Sequence, residues 1–171
     1  MIRNVQVVDD DIVEMKRLIK QKLIDDPDIL EALHNTDLGP DNADEYLGTN
    51  IFGFIRIPTT QDTVRNFICF TVDDISAHEY NSHMKVQQIK FNCICHLDDI
   101  RTNLGIDRHD LLSFLVRENF NWTNDFGMQF HLVQNKESAM EGDYYCRTLI
   151  FERTCTNSLK KAVRSNPNDR S

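Results

Sequence analysis

The sequence predicts an α+β protein: a mainly antiparallel sheet of four to five strands, an amphipathic helix packed across it, and a helix at the N-terminus. The first observation is the alternation of apolar and polar residues over 86–97, which is typical of a strand with one buried face. The second is an apolar stripe at helical spacing over 107–120. The third is a chain of 171 residues with ten phenylalanines, enough for an ordinary core. We expect one domain over residues 1–155 and a basic tail over 156–171.

Two helices are expected near the N-terminus. Apolar residues recur every three or four positions behind a run of aspartates, which the helix dipole favours at a helix N-terminus. This pattern predicts a first helix over 10–24. Asp26 then suits an N-cap and Pro27 a first helical position, so a short second helix follows. Its apolar face consists of Ile29, Leu30 and Leu33.

Turn-forming residues dominate 35–50, which we interpret as a loop. The stretches 51–57 and 66–72 are rich in β-branched and aromatic residues, and their connection suits an antiparallel hairpin. The polar stretch 73–85 is longer than a tight turn and is predicted to be a loop.

The long strand places Ile89, Phe91, Cys93, Cys95 and Leu97 on one face. The helix that follows begins after Asp107, its expected cap, and should lie across the sheet. Its stripe consists of Leu111, Leu112, Leu115, Val116 and Phe120. Two closing strands are predicted over 128–133 and 144–153, with the polar stretch 134–143 as the hairpin loop between them.

Charge is unevenly distributed along the chain. The tail has four basic residues and one acid, a net +3, which leaves −11 for residues 1–155 out of the total of −8. An acidic body argues against sequence-reading of DNA, because such binding depends on neutralising phosphates. The basic tail could dock on an acidic neighbour, or it could be a solvated extension. Neither a membrane-length apolar run nor a signal-peptide pattern is evident, so we expect a protein made in a cytoplasm, whose five cysteines are thiols.

The segment from Cys93 to His96 is the strongest apparent metal signal, because thiolate and imidazole are common zinc ligands. In a strand, however, Cys93 and Cys95 share one face and His96 points to the other. We therefore expect packed thiols, with no metal and no cofactor. Cys69, Cys146 and Cys155 offer no second zinc knuckle.

Catalytic signatures are weak. A metal-dependent nuclease would need an acid from Asp73 or Asp74 beside Gln88 and Lys90, but a second acid is missing from the sequence pattern. No Gly-x-Ser-x-Gly turn and no glycine-rich phosphate loop occurs. His109 and His131 are interpreted as core or solvated histidines, and Trp122 as either a core residue or an aromatic interface anchor.

The element order, with the stretches IKFNCICHLDDI, RHDLLSFLVRENF, GMQFHLV and YYCRTLIFER, resembles the tail-terminator or tail-completion proteins of long-tailed bacteriophages. The resemblance covers residues 10–153. It implies a non-enzymatic virion protein that forms a homo-oligomeric ring, a hexamer in this family, between the tail tube and the neck connector. DNA would pass through the ring without specific binding, and an acidic interior suits that passage. A connector stopper or adaptor is the alternative, and a metal-dependent nuclease a further one.

A ring protein of this kind needs surfaces for its own copies, for the tube protein and for the connector protein. We predict these surfaces in the polar loops and the basic tail. The candidate interface residues are Tyr46, His78, Tyr80, Lys136, Met140, Lys160, Lys161 and Arg164.

Overall fold

The computed structural model describes residues 11–57, 65–78, 81–127, 129–140 and 142–156. Within them, three α-helices and five strands alternate with short 3₁₀ turns. The helices are α1 (Asp11–Ile24), α2 (Pro27–Leu33) and α3 (Arg108–Phe120). The strands are β1 (Ile51–Phe52), β2 (Asn66–His78), β3 (Asn81–His96), β4 (His131–Met140) and β5 (Tyr144–Thr156). The 3₁₀ turns are Pro40–Tyr46 and Leu97–Asp99. No described helix has the length and apolar character that crossing a bilayer requires.

The strands form one sheet in the order β1-β2-β3-β5-β4. β1 runs parallel to β2, and every other described neighbour is antiparallel. The long strand β3 is central: it pairs with β2 on one side and with β5 on the other. The predicted α+β class, with its mainly antiparallel sheet, crossing helix and N-terminal helix, is confirmed.

The helices and one face of the sheet enclose the main core. Phe91 of β3 lies at its centre, with ring centroids 4.7 Å from Phe120, 5.8 Å from Phe70 and 5.9 Å from Phe151. Alternation along β3 puts the odd-numbered residues on this face, and apolar burial there is the largest stabilising term of the fold. The fully buried apolar residues at odd-numbered positions are Ile89, Phe91, Cys93 and Cys95. Leu97, predicted to share this face, lies beyond the strand end and is exposed.

The opposite face of the sheet carries a smaller apolar cluster at one end. It consists of Phe52, Phe67, Cys69, Ile94, Tyr144 and Cys146, with Met140 packed against it. The rest of this face is largely polar, which fits a sheet covered by helices on one side.

Helix starts differ in how they are capped. The side chain of Asp26 accepts hydrogen bonds from the backbone N–H groups of Asp28 (2.9 Å) and Ile29 (3.4 Å), so the predicted cap of α2 is confirmed. Asp107 occupies the N-cap position of α3, but its side chain makes no capping hydrogen bond. The position of Asp107 was predicted correctly, but the capping hydrogen bond expected of its side chain is absent.

Several predictions about the strands are wrong in the extent of the strand or in its pairing. The stretch 51–57 contributes only the two residues of β1, which pair in parallel with β2 instead of forming a hairpin. At Gly53 the chain turns towards α1, where Lys16 Nζ donates to the Gly53 carbonyl at 3.0 Å. The predicted loop 73–85 is largely strand, because polar residues of β2 and β3 continue the backbone ladder.

The predicted loop 134–143 is likewise mostly strand, since β4 runs to Met140 and pairs with β5 over its whole length. β4 begins at His131, whereas the sequence pattern placed the strand at 128–133. Polar composition suggested loops in both places because it reports exposure, and an exposed strand is as polar as a loop.

Candidate subunit interface

The edge strand β4 is the least covered element of the described structure. It pairs only with β5, so its outer edge presents backbone N–H and C=O groups without a neighbouring strand in the described residues. All seven residues from Val133 to Ala139 are exposed, which means that neither face of the strand is buried over this length. A long, uncovered edge strand is a template for pairing with another chain. β4 is therefore the leading candidate for a contact surface.

Trp122 lies beside the start of β4. Its side chain is 61% exposed and stacks on the His131 ring, with centroids 5.8 Å apart and planes 25° from parallel. The backbone holds it there: the Trp122 N–H donates to the Phe130 carbonyl at 2.8 Å, and the Leu132 N–H donates to Asn121 Oδ1 at 2.9 Å. Trp122 has a positive φ of 61°, a backbone state that a bulky residue rarely adopts. Of the two interpretations from sequence, the exposed position rules out core packing and fits an interface anchor.

A buried arginine fixes the loop that carries Trp122. The Arg153 guanidinium lies 4.7 Å above the Phe130 ring and donates to Gln87 Oε1 at 2.7 and 3.0 Å and to the Phe126 carbonyl. Burial lowers the pKa of Arg153 below its usual value. The Arg153 side chain thus links the loop preceding β4 to β3 and β5, and the sequence pattern did not identify this residue as important.

A charged network ties β4 to α3. Arg147 of β5 donates to Asp110 of α3, to Asn135 Oδ1 at 3.1 Å and to Glu137 Oε2 at 3.3 Å. His109 Nε2 lies 3.3 Å from Glu137 Oε1, and the His109 ring is buried, so the core alternative for this histidine is confirmed. One arginine therefore contacts two exposed side chains of β4.

The opposite side of the sheet exposes a separate apolar set. Phe54, Ile55 and Ile57, which we call the β1-side patch, follow β1 and are 58%, 46% and 73% exposed. The guanidinium carbon of Arg56 lies 4.8 Å from the ring centroid of Phe52 and 5.2 Å from that of Phe67. The segment is therefore anchored on the smaller apolar cluster described above. Three large exposed apolar side chains on either side of one arginine make a patch of the kind found at contact sites.

The interface candidates from sequence lie in different environments. Lys136 is exposed on β4, and Met140 at the end of β4 is half-buried against the second cluster. Tyr46 is 2% exposed and donates to the Leu38 carbonyl at 3.0 Å, so it is a core residue and its assignment to an outer surface does not fit the structure. His78 ends β2, and its side chain is outside the description. Tyr80, Lys160, Lys161 and Arg164 lie outside the described residues.

The cysteines are packed thiols, as predicted. Cys69, Cys93, Cys95 and Cys146 are buried and free, and Cys155 is half-buried and free. Burial raises the pKa of Cys69 to about 11 and raises those of Cys93 and Cys95 well above the usual value. Buried neutral thiols are poor nucleophiles and poor metal ligands. No group of three or more His, Cys, Asp or Glu side chains that could hold a metal ion occurs in the part of the chain that the structure describes.

The sheet register brings a second acid to the residues of the nuclease hypothesis. Gln88 lies between Asp73 of β2 and Glu152 of β5, and its amide donates to Glu152 Oε1 at 3.0 Å. The sequence could not reveal Glu152, because 64 residues separate it from Gln88. Asp73 accepts instead from Thr71 Oγ1 at 2.9 Å, and Lys90 lies opposite Thr71. The two acids are thus each hydrogen-bonded to a neutral side chain, Asp73 to Thr71 and Glu152 to Gln88.

A cleft of about 580 Å³ lies between α2, α3 and the loop that joins β3 to α3. Arg108, its central cation, is already satisfied by the Ala32 carbonyl at 3.0 Å, the Asp99 carbonyl at 2.7 Å and Asp99 Oδ1 at 3.3 Å. Asp99 also accepts from His34 Nδ1 at 2.9 Å. The arrangement closes the C-terminal end of α2 and serves the fold.

Comparison with known proteins gives one family and one fold. A chain in a structure described as the virion of a native gene transfer agent (GTA) particle is similar to this one, with a TM-score of 0.52 and 12% identity. The likeness covers 82% of this chain and 94% of that chain, and at this identity it shows a shared fold. No curated protein matches the sequence significantly. The YomW family model matches residues 15–153, from within α1 to near the end of β5. The chain therefore belongs to the YomW family.

Proposed function

We propose that this protein is a non-enzymatic structural component of a phage virion, which assembles into a homo-oligomeric ring at the junction of head and tail. The observation that carries the proposal is the fold shared with a chain of the gene transfer agent virion over 94% of that chain. A fold alone does not imply a function, so surface features must support the proposal as well.

The uncovered strand β4 and its neighbour Trp122 supply that support. The backbone edge of β4 has no neighbouring strand in the described residues, and a partner chain would cover it. The β1-side patch adds a second exposed surface on the other side of the sheet. A protein with two such surfaces can bind two neighbours at once, as each subunit of a ring must.

Charge fits the passage of DNA. Residues 1–155 have a net charge of −11, by subtraction of the tail's +3 from the total of −8. An acidic ring repels phosphates, so that DNA would pass without being held. The basic residues Lys160, Lys161 and Arg164 would then dock on an acidic neighbour, and we place this protein as the terminator that joins the tail tube to the connector.

Three measurements test the proposal. Light scattering over a wide concentration range should show an oligomer, expected to be a hexamer, and electron microscopy of the purified protein should show rings with a central hole. Purified tail tubes should recruit the protein to one end. A monomer at every concentration that ignores the tubes would refute the proposal.

A connector stopper or adaptor would share these surfaces but bind on the portal side. Copurification with the connector protein and not with the tube protein would identify that role in place of the terminator role. The same preparation, incubated with DNA and magnesium or manganese, should leave the DNA intact. Cleavage that disappears in Lys90→Ala would instead support the nuclease hypothesis.

A further inference from the structure

The cleft of about 580 Å³ between α2, α3 and the loop that joins β3 to α3 has an apolar lining on one side. We call it the α2–α3 cleft. Its volume lies in the range of roughly 300–1,000 Å³ in which protein pockets enclose a ligand or a few side chains. Leu111 and Leu115 of α3 are half-buried in its lining, and Leu104 of the loop is 70% exposed there. In the single chain these leucines therefore leave apolar area in contact with water.

The α2 side of the same cleft is acidic. Asp28 and Glu31 lie about one helical turn apart, and both are exposed along the cleft. Asp99 and Arg108, deeper in the lining, form an ion pair at 3.3 Å. Two exposed carboxylates on α2 thus stand against one exposed guanidinium, that of Arg101, on the loop. A ligand with an apolar face and positive charge suits this combination of leucines and acids.

The chain contains a segment with the complementary pattern, at positions 159–164, outside the described residues. Leu159, Ala162 and Val163 have the i, i+3, i+4 spacing of one helix face. The other three positions of the segment are basic: Lys160, Lys161 and Arg164. The spacing predicts a short basic amphipathic helix, and such helices bind grooves through their apolar face. This segment supplies apolar side chains for the leucines of the cleft and cations for its two acids.

The segment starts too far from the cleft of its own chain to enter it. β5 begins at the cleft end of the sheet, where the Leu97 N–H donates to the Asp143 carbonyl at 2.8 Å, and it ends at Thr156. Its 13 residues at about 3.3 Å each place Thr156 roughly 40 Å from that end. Val163 follows Thr156 by seven positions and reaches at most about 25 Å from it, even in a fully extended chain. The cleft of a neighbouring copy is not subject to this limit.

We propose that residues 159–164 of each copy dock in the α2–α3 cleft of the next copy. Leu159 and Val163 lie on the leucines of the cleft, and the lysines between them lie against Asp28 and Glu31. The inference rests on the proposed ring, and it names the acidic neighbour on which the basic tail docks. Because the segment and the cleft are different surfaces, the contact repeats around an axis, as a ring requires.

Reversing charges in the full chain tests the contact. Asp28→Lys with Glu31→Lys, and separately Lys160→Glu with Lys161→Glu, should each weaken self-association in sedimentation velocity by roughly tenfold or more, because like charges then face each other. The chain with all four substitutions should associate like the wild type, since opposite charges face each other again.

Asp41→Lys with Asp44→Lys is the matched control for the pair on α2. It changes the net charge by the same amount, and Asp41 and Asp44 are exposed residues that do not line the cleft. Association of this control should equal that of the wild type. Thermal unfolding checks that each variant is folded, and the pair at Lys160 and Lys161 still tests the contact if the pair on α2 unfolds the protein.

Cross-linking identifies the copy that supplies the segment. Cys155, the half-buried cysteine, is first replaced by Ser, and Val163→Cys and Leu104→Cys are made separately in that background. A short bis-maleimide should give dimers in the mixture of the two variants and in neither variant alone. Asp41→Cys in place of Leu104→Cys is the control and should give no dimers. A cross-link within one dilute chain that carries both Val163→Cys and Leu104→Cys would overturn docking on a neighbour.

The remaining outcomes separate this contact from the proposed ring. Unchanged self-association of both charge-reversed pairs, or no dimer in the mixture, would overturn the contact, and if rings still form, the proposed ring stands without it. Loss of binding to tail tubes or connector protein by Lys160→Glu with Lys161→Glu, at unchanged self-association, would assign the segment to that partner and overturn the contact. A protein that is monomeric at every concentration would overturn the contact and the ring together.

Discussion

Replacing Arg153 with Met should destabilise the protein severely. Arg153 is 9% exposed, and its guanidinium supplies the donors for Gln87 Oε1 and the Phe126 carbonyl and stacks on Phe130. Each buried acceptor that loses its donor costs about 1–3 kcal/mol, and the loss of the cation–π contact adds about 1 kcal/mol. We expect the free energy of unfolding to fall by about 3–7 kcal/mol, a large share of the roughly 5–15 kcal/mol available to a domain.

Urea unfolding followed by circular dichroism measures this change. Arg65→Met is the control, because Arg65 is exposed and its ion pair with Asp98 spans 3.9 Å, so it should cost less than about 1 kcal/mol. Adding Gln87→Leu to Arg153→Met should recover part of the loss, since removing both partners leaves fewer unpaired buried groups. A loss of stability below about 1 kcal/mol for Arg153→Met would refute the reasoning. A double variant of Arg153→Met and Gln87→Leu that is less stable than Arg153→Met by roughly a further 1–3 kcal/mol would refute it as well.

Three further predictions concern caps, core and thiols. Asp26→Ala should lower the free energy of unfolding by about 1 kcal/mol and Asp107→Ala by clearly less, because of these two residues only Asp26 makes capping hydrogen bonds. Urea unfolding of the two variants measures the difference. Equal losses would contradict the assignment of the cap to Asp26. Phe91→Ala should lower the free energy of unfolding by about 3–5 kcal/mol and Phe114→Ala by less than about 1 kcal/mol, since Phe91 is fully buried and Phe114 is 48% exposed. Similar losses for the two variants in the same assay would count against the core as described. Stability should fall as pH rises from about 9 to about 11, because the raised pKa of Cys69 favours the neutral thiol in the folded state. A rise from 9.0 to about 11 corresponds to roughly 3 kcal/mol that is present below pH 9 and lost as the pH approaches 11. Urea midpoints at about pH 8 and about pH 11 should therefore differ less in Cys69→Ala than in the wild type, and an equal difference would refute the effect.

Local patterns predicted the elements whose side chains alternate between core and solvent. The spacing of apolar residues located α1, α2, α3 and the central part of β3, because one buried face imposes its period on the sequence. The N-cap at Asp26 was also predictable, because the atoms that form the cap belong to residues close in sequence. Most of β4, the end of β2 and the start of β3 were assigned to loops, because a strand without a buried face has no apolar period to detect.

The candidate interface depended on pairings distant in sequence. Lys136 was predicted as a surface residue, but that it belongs to an edge strand follows from the pairing of β4 with β5. Tyr46 looked like an isolated aromatic in a polar loop, and only the packing of the 3₁₀ turn shows that it is buried. The link between Arg153 and Gln87 joins residues 66 positions apart, which no local pattern could reveal.

By itself, the sequence determined the fold class, the helices, the central strand and the packed state of the thiols, because burial leaves a periodic trace along the chain. Only the tertiary structure decided which strands form the edges, which aromatic residues are exposed beside them, and which buried arginine holds the loop at Trp122. These properties depend on which distant segments become neighbours, and the local free energies that set a residue's period contain no information about the order of strands in a sheet.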